Sequence, residues 1–512
     1  MKPFSYLSIF LAASAAQVQA QAPGRLHIVL IMCDDMGFSD LGCYGSEINT
    51  PHIDSLARAS MRFTQFKNTG RSCPSRASLL TGRYQHTVGM GWMTAVDEHR
   101  SGYRGQITDT VPTIAEVMRA NGYRTYMSGK WHVTLDEHFD RPDGSYPTQR
   151  GFDEYYGCLS GGSYYTPTPV YRNLTRITDF PEDYYYTTAI TDSATAFIRR
   201  HSADEPMFLY VAHYAPHLPL HAPADRVEAC RPRYEVGFDV LRRRRFERQK
   251  ELGIVPQDAQ LPVFGREFGG KHPAWEDLTP GQREQWITDM ATYAAMIEVM
   301  DDGIGRLVDA LRRKGMLDNT VFLFLSDNGA TLEGGFLNQL RADLSNTPYR
   351  SYKQWTFNGG ISAPFILARG SDWGKEDGRI SRQTGHIIDI LPTCLDLASA
   401  RCTGAADALP GISLLPFAGA DTKPAGRTLF FEHQSSCAVI DGHWKLVRAD
   451  RRSPWELYDL NADPYEQDDL SALRPDKVKE LEVKWTGWAK ESDVFPLEDL
   501  PWGERIRHYK EK

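Results

Sequence analysis

At 512 residues, 41% hydrophobic and 24% charged, the chain is long enough for one large domain, or a large one with a smaller companion, and its composition excludes disordered or collagen-like sequence. A formal net charge of −8 argues against nucleic acid as a partner for the whole chain. The main basic run, Arg242 to Arg245, sits in a polar, helical stretch and reads as a solvated face.

In chain order, residues 1–20 read as a signal peptide. Lys2 supplies the positive start, Tyr6 to Ala16 the apolar core, and Val18-Gln19-Ala20 the cleavage positions. That core is too short to span a bilayer, and no later stretch reaches about 18 uninterrupted apolar residues. No Cys follows the core to carry a lipid. The expectation is an exported protein, periplasmic or secreted, with no membrane span.

Leu26 to Met32 is an apolar, β-favouring run that reads as a buried parallel strand ending at Asp34-Asp35. Val111 to Ala120 is a helical stretch, followed by Gly122 and a short strand, Arg124 to Met127. Met207 to Val211 is another apolar strand, leading into a His-rich loop. Tyr293, Met296, Ile297, Met300, Ile304, Leu307, Val308 and Leu311 mark one apolar helix face. That helix feeds the strand Val321 to Leu325, which ends in Ser326-Asp327-Asn328-Gly329. Strands alternating with helices indicate an α/β fold: a large, mostly parallel or mixed central sheet sandwiched by helices. After about Gly426 the texture changes to short strands (Leu429 to Phe431, Trp444 to Val447, Glu456 to Asp459) and a polar helix, Pro475 to Lys490. The expected division is a catalytic domain over 21–425 and a smaller C-terminal α+β domain over 426–512.

Polar clusters at several strand ends matter, because ligand sites in α/β sheets gather at the carboxyl ends of the strands. The strongest local feature runs from Ser72 to Arg83, SCPSRASLLTGR. Pro74 suits a first helical turn, which puts Ser72 at a helix N-terminus where free N–H groups favour an anion. Arg76, four residues on, points to the same side. An ordinary helix start with Ser72 as its cap is the competing reading of this segment alone. Asp34, Asp35, Asp327 and Asn328 offer hard oxygen ligands from two strand ends, as a divalent cation requires. No Cys/His set has zinc spacing. Of the eight cysteines, Cys394 and Cys402 are the nearest candidate pair outside this region, and a bridge stays open.

The Ser72 to Arg83 segment resembles the type I sulfatase signature [C/S]-x-P-S-R-x-x-x-L-T-G-R of the alkaline phosphatase superfamily. The resemblance runs from Ile28 to about Asp469 through NTPHIDSLA, SGKWH, APHLPLHAP, SDNGA, YKQWTFNGGISAPF and ELYDLNADPYEQDDL, and looks closest to soluble bacterial arylsulfatases. It implies that Ser72, two residues before Pro74, is the serine form of the position oxidised to Cα-formylglycine by a serine-competent maturation enzyme. One hydroxyl of the aldehyde hydrate then attacks sulfur to give a covalent sulfo-enzyme, and the other expels sulfate. It further implies one Ca2+ on Asp34, Asp35, Asp327, Asn328 and residue 72, sulfate-binding Lys130, His217 and Lys353, and His132 beside the formylglycine. The activity implied is sulfate monoester hydrolysis: aryl sulfates in vitro and sulfated glycans in vivo, with an exo-acting enzyme on a terminal sugar such as galactose as the guess. Trp92, Tyr164, Tyr165 and Tyr184 to Tyr186 are sugar-stacking candidates or ordinary packing. A phosphonate monoester hydrolase or phosphodiesterase of the same superfamily is the alternative. A non-catalytic binding protein is disfavoured, since every matched catalytic position is filled.

Overall fold

The computed structural model describes residues 25–511 apart from 168, 266–270, 403–408 and 418–425, so the signal peptide reading lies outside the described residues. The apolar runs form β1 (His27–Cys33), β2 (Met61–Lys67), β3 (Arg124–Gly129), β4 (Glu154–Cys158), β5 (Val170–Arg172), β6 (Thr175–Ile177), β7 (Met207–Ala212), β8 (Thr320–Ser326), β9 (Phe365–Arg369) and β10 (Arg379–His386). They make one sheet in the order β10-β2-β9-β8-β1-β7-β3-β4-β5-β6. The five strands from β8 to β4 run parallel, β9 opposes both its neighbours, and β5 and β6 close the far end as an antiparallel hairpin.

β1 shows why a central strand reads as an unbroken apolar run. Successive side chains point to opposite faces, and here both faces are covered. Val29, Ile31 and Cys33 join the layer that holds Met300, Ile304 and Leu307, while Ile28, Leu30 and Met32 pack with Leu79 and Leu80 on the other side. Each such side chain contributes about 1.5–3 kcal/mol by leaving water. The long helix Pro280–Arg313 starts where Pro280 takes the first position and Thr279 and Gln282 exchange cap hydrogen bonds. It begins well before the stripe read at Tyr293, because Trp286, Ile287 and Met290 extend the buried face. The stretch read from Val111 begins instead at Ile114, since Thr113 and Glu116 form a capping box that fixes the helix start.

The smaller sheet is an antiparallel meander of β11 (Thr428–His433), β12 (Ser436–Asp441), β13 (Trp444–Arg448) and β14 (Glu456–Asp459). Leu481 and Trp485 of the helix Pro475–Glu491 cover it, packing on Val439, Leu446 and Leu457. The sequence reading passed over β12. The β11–β12 turn places Gln434 and Ser435 at φ 46° and 64°, a left-handed pair that usually advertises itself with glycine. A buried network ties the two sheets together. Lys445 Nζ lies 2.5 Å from Glu466 Oε1, and both Lys445 and Lys67 donate to Asn358 Oδ1, at 3.0 and 3.1 Å.

The Arg242 to Arg245 run is only half solvated. Arg243 and Arg244 are exposed, but Arg245 is buried on Asp40 (2.7 Å) and Glu47 (2.8 Å), and Arg242 is buried beside Asp343 and over the Phe264 ring. Every second pair on the Phe238–Glu251 helix turns inward, so consecutive arginines meet opposite environments. No disulfide forms among the eight cysteines, so Cys394 and Cys402 are not bridged. Among the described residues no helix is long and apolar enough to cross a membrane.

Candidate active site

Parallel register brings the acidic residues together. β1 pairs with β8 so that Cys33 faces Ser326, and Asp34 and Asp327 emerge side by side, with Asp327 N–H donating to Cys33 O at 3.1 Å. Asp35 takes a left-handed turn at φ 65°, which lets its N–H donate to Asp327 Oδ1 at 3.2 Å. Asn328 Nδ2 donates to Asp35 Oδ1 at 2.7 Å. All four residues are buried.

The helix Ser72–Thr81 aims its first turn at this cluster. Arg71, not Ser72, holds the extended N-cap position, so Ser72 is the first helical residue. Ser72 Oγ lies 3.0 Å from Asp34 Oδ1 and 3.3 Å from Asn328 Oδ1. One turn on, Arg76 Nη2 bonds Asp34 Oδ2 at 3.2 Å and Asp327 Oδ2 at 2.8 Å, while Nη1 donates to Lys130 O at 2.9 Å. The four-residue spacing therefore does place nucleophile candidate and guanidinium on one side.

Lys130 comes from the end of β3. Gly129, at φ 118°, permits the approach: a Cβ there would sit 1.9 Å from Ala212 O. Lys130 Nζ reaches Asp34 Oδ2 at 2.6 Å. His132 is buried at φ 60° with Nδ1 lacking a protein partner. From the other side, Lys353 Nζ lies 2.9 Å from Asp35 Oδ2 and 3.3 Å from His217 Nε2. His217 Nδ1 contacts Leu218 O at 2.5 Å, which places a proton on Nδ1, and its Nε2 also lies 3.5 Å from Asp35 Oδ2.

The structure thus brings together Asp34, Asp35, Ser72, Arg76, Lys130, His217, Asp327, Asn328 and Lys353, and adds two residues the sequence reading missed. Arg71 Nη1 pairs with Glu333 Oε1 at 2.8 Å, and Glu333 Oε2 lies 3.3 Å from Lys353. Adjacency to Ser72 was the available signal for Arg71; Glu333 is a lone charge in the loop after β8 and carried none. Of the aromatic candidates, Trp92, Tyr164, Tyr184, Tyr185 and Tyr186 are buried packing residues, and only Tyr165 is exposed. His213 is also core, its two ring nitrogens without partners.

The electrostatics follow from crowding. Burial alone would raise the Asp34 carboxyl, but Lys130, His217 and Arg76 hold it well below the usual carboxylate range. Asp327 is pushed up to about 7, by burial and then by the neighbouring Asp34 charge. Burial lowers His217, with Asp35 opposing, and burial together with Lys130 and Arg76 holds His132 well below a normal imidazole. Burial works against the Glu333 charge, yet Lys353 and Arg71 bring that carboxyl down to about 2. Carboxylates that repel one another in a dry pocket, joined by an amide oxygen, fit a hard divalent cation. Ligand atoms of Asp34, Asp35 and His217 lie within 4.8 Å of one another. A second trio, His52, Asp301 and Asp302, has a simpler role: Asp301 accepts the N–H groups of His52 and Ile53 at the start of the helix Pro51–Arg58.

A large mixed sheet with an acidic cluster and a buried hydroxyl at its strand ends is an alkaline-phosphatase-like fold. Residues 27–400 match the sulfatase family. An uncharacterized sulfatase of Schizosaccharomyces pombe is 31% identical, covering 94% of this chain and 96% of that protein. The arylsulfatase of Klebsiella aerogenes is also 31% identical, covering 77% of this chain and 90% of its own length. Among solved structures, Ps i-CgsB in complex with k-i-k-neocarrahexaose superimposes with a TM-score of 0.69 at 24% identity, covering 94% of this chain and 96% of that one. The chain belongs to the sulfatase family and is a sulfuric ester hydrolase.

Proposed function

We propose that the enzyme hydrolyses sulfate monoesters of sugars, and aryl sulfates in vitro, through an oxygen nucleophile at residue 72. In this reading Ser72 is matured to Cα-formylglycine by a serine-competent enzyme, one calcium ion sits on Asp34, Asp35, Asp327 and Asn328, and the protein works outside the cytoplasm. When bound, these groups supply a geminal diol as nucleophile and a Lewis acid that lowers its pKa. The observation that carries the reading is Ser72 Oγ within 3.0 Å of Asp34 and 3.3 Å of Asn328, with Arg76 forked across Asp34 and Asp327.

The chain's own residues take the remaining tasks. Arg76 fixes the carboxylates. Lys130 and Lys353, paired here with Asp34 and Asp35, would bind the sulfuryl oxygens of the substrate. His217, beside Lys353, would donate from a protonated Nε2 to the sulfate or the leaving oxygen, and His132 would bond the residue 72 hydroxyl. Such preaimed cations in a water-poor site stabilise the charge that develops as the S–O bond breaks.

The test is turnover of 4-nitrophenyl sulfate against 4-nitrophenyl phosphate and a phenylphosphonate ester, with and without calcium, after co-expression with the maturation enzyme. Calcium-dependent sulfate release that falls at least about a thousandfold in Ser72→Ala is expected. Faster phosphonate turnover, or sulfate release that survives the substitution, overturns the reading.

A further inference from the structure

Past the smaller sheet, the chain does not end where that sheet is covered. Residues 492–511 run on as a strap that bonds to the segment between Trp92 and Tyr103. The Asp493 carboxylate pairs with Arg100 at 3.0 Å and accepts from Ser101 Oγ at 2.7 Å and Gly102 N–H at 3.1 Å. Tyr103 donates to Val494 O at 3.1 Å. In the closing helix Trp502–Lys510, Arg505 makes a buried ion pair with Glu98 at 2.6 Å and lies 4.7 Å over the Trp92 ring. The Trp502 ring rests on Trp92 with centroids 4.9 Å apart, yet Trp502 remains 45% exposed.

The exposed part of Trp502 has a definite neighbour. It lines a cavity of about 540 Å³, within the size range of small-molecule sites, together with Arg71, Glu333, Trp355, Gln434 and Asp450. Three parts of the fold converge there: the loops at the strand ends of the large sheet, the left-handed β11–β12 turn, and the strap. The cavity adjoins the candidate active site by two routes. Arg71 is bonded to residue 72 in the chain, and Glu333 holds Lys353 at 3.3 Å.

We propose that Trp502 is a specificity-determining residue that binds a hydroxyl-rich pyranose, the leaving alcohol of the sulfate ester. The proposal rests on the sulfate monoester reading and names its substrate class. Two indoles set among carboxylates and an amide do not suit a flat aromatic or steroid alcohol, which would strip water from Glu333 and Asp450 without replacing its hydrogen bonds. A pyranose offers both kinds of surface. Its C–H face lies on the electron-rich face of an indole, and its rim of hydroxyls donates to carboxylate and amide oxygens. Asp450 is already oriented for this, since its Oδ1 is held by the N–H groups of Arg452 and Ser453 at 2.7 and 2.9 Å. The anchoring of the strap gives Trp502 a fixed position, so little side-chain freedom is lost on binding.

The experiment compares the mature, calcium-loaded full chain with Trp502→Ala and Trp502→Tyr on two kinds of substrate: 4-nitrophenyl sulfate, and a panel of monosulfated galactose, N-acetylgalactosamine, N-acetylglucosamine and fucose. The readout is the ratio of kcat/KM on the best saccharide to kcat/KM on the aryl sulfate. That ratio should fall at least about tenfold in Trp502→Ala, through KM, and recover severalfold in Trp502→Tyr, which keeps an aromatic face. An unchanged ratio overturns the proposal. So does aryl sulfate turnover by the wild type with no saccharide accepted, which leaves the sulfatase reading standing. Failure of the wild type on every sulfate ester removes both.

Discussion

Replacing Arg76 by methionine isolates the charge balance at the centre of the site. Methionine keeps much of the length of the side chain and removes the guanidinium that Asp34 and Asp327 share, along with the bond to Lys130 O. Taking one partner out of a buried ionic cluster costs about 3–5 kcal/mol, because the remaining charges keep their desolvation penalty. At roughly 2 cal/mol/K of unfolding entropy per residue, a chain of 512 residues gains about 1 kcal/mol per degree, so the melting midpoint should fall by roughly 3–5 °C in EDTA. A cation on the same carboxylates supplies part of the missing positive charge. The deficit should therefore shrink by about half in millimolar calcium, read by thermal denaturation of both proteins in both buffers. Equal midpoints for wild type and Arg76→Met in EDTA would refute the role assigned to the guanidinium. A deficit that calcium leaves untouched would refute the idea that cation and Arg76 neutralise the same acids.

Lys353→Ala should lower kcat on 4-nitrophenyl sulfate by about a hundredfold or more, the loss seen when one preaimed donor is removed, while leaving the fold intact by circular dichroism. Glu466→Ala strands Lys445 and Lys67 between the two sheets without a counter-charge. A cost of about 3–5 kcal/mol in chemical denaturation is expected, and Lys67→Met, which removes an ammonium already brought to about 7 by burial and by Lys445, should recover part of it. Stability should also drop in acid. Burial lowers His27 to about 4 and His213 to about 3 from 6.5, so the folded chain binds fewer protons than the unfolded one below pH 6.5. Their neutral fit is intact above pH 6.5 and is lost as pH falls toward those values. His213→Leu should flatten the fall in melting midpoint between pH 6.5 and 4, and an unchanged slope would sink that assignment.

The central strands were legible because a strand covered on both faces must be apolar along its middle, as 28–33 of β1, all of β7 and 321–325 of β8 are. Their polar ends were legible for the converse reason: Asp34-Asp35 and Asp327-Asn328 interrupt such runs with nothing apolar to pack. What escaped depends on distance in sequence or on an atypical turn. β12 was hidden by a left-handed Gln434-Ser435 pair without glycine. Arg245 looked solvated because Asp40 and Glu47, its partners, lie about two hundred residues away. Trp502 and Glu333 are single residues whose meaning arises only from what the fold sets beside them.

Ser72 is 1% exposed, sealed by groups as distant in the chain as Asn328, 256 residues further on. The maturation enzyme proposed for that side chain would not reach it in the finished structure. At 5–20 residues per second of synthesis, the stretch between the two takes roughly 10–50 s to make. During that interval β1 has no β8 to pair with and the pocket has no far wall. If Ser72 is matured as proposed, that chemistry is confined to the time before the pocket closes, and a protein that folds first is left with a plain serine.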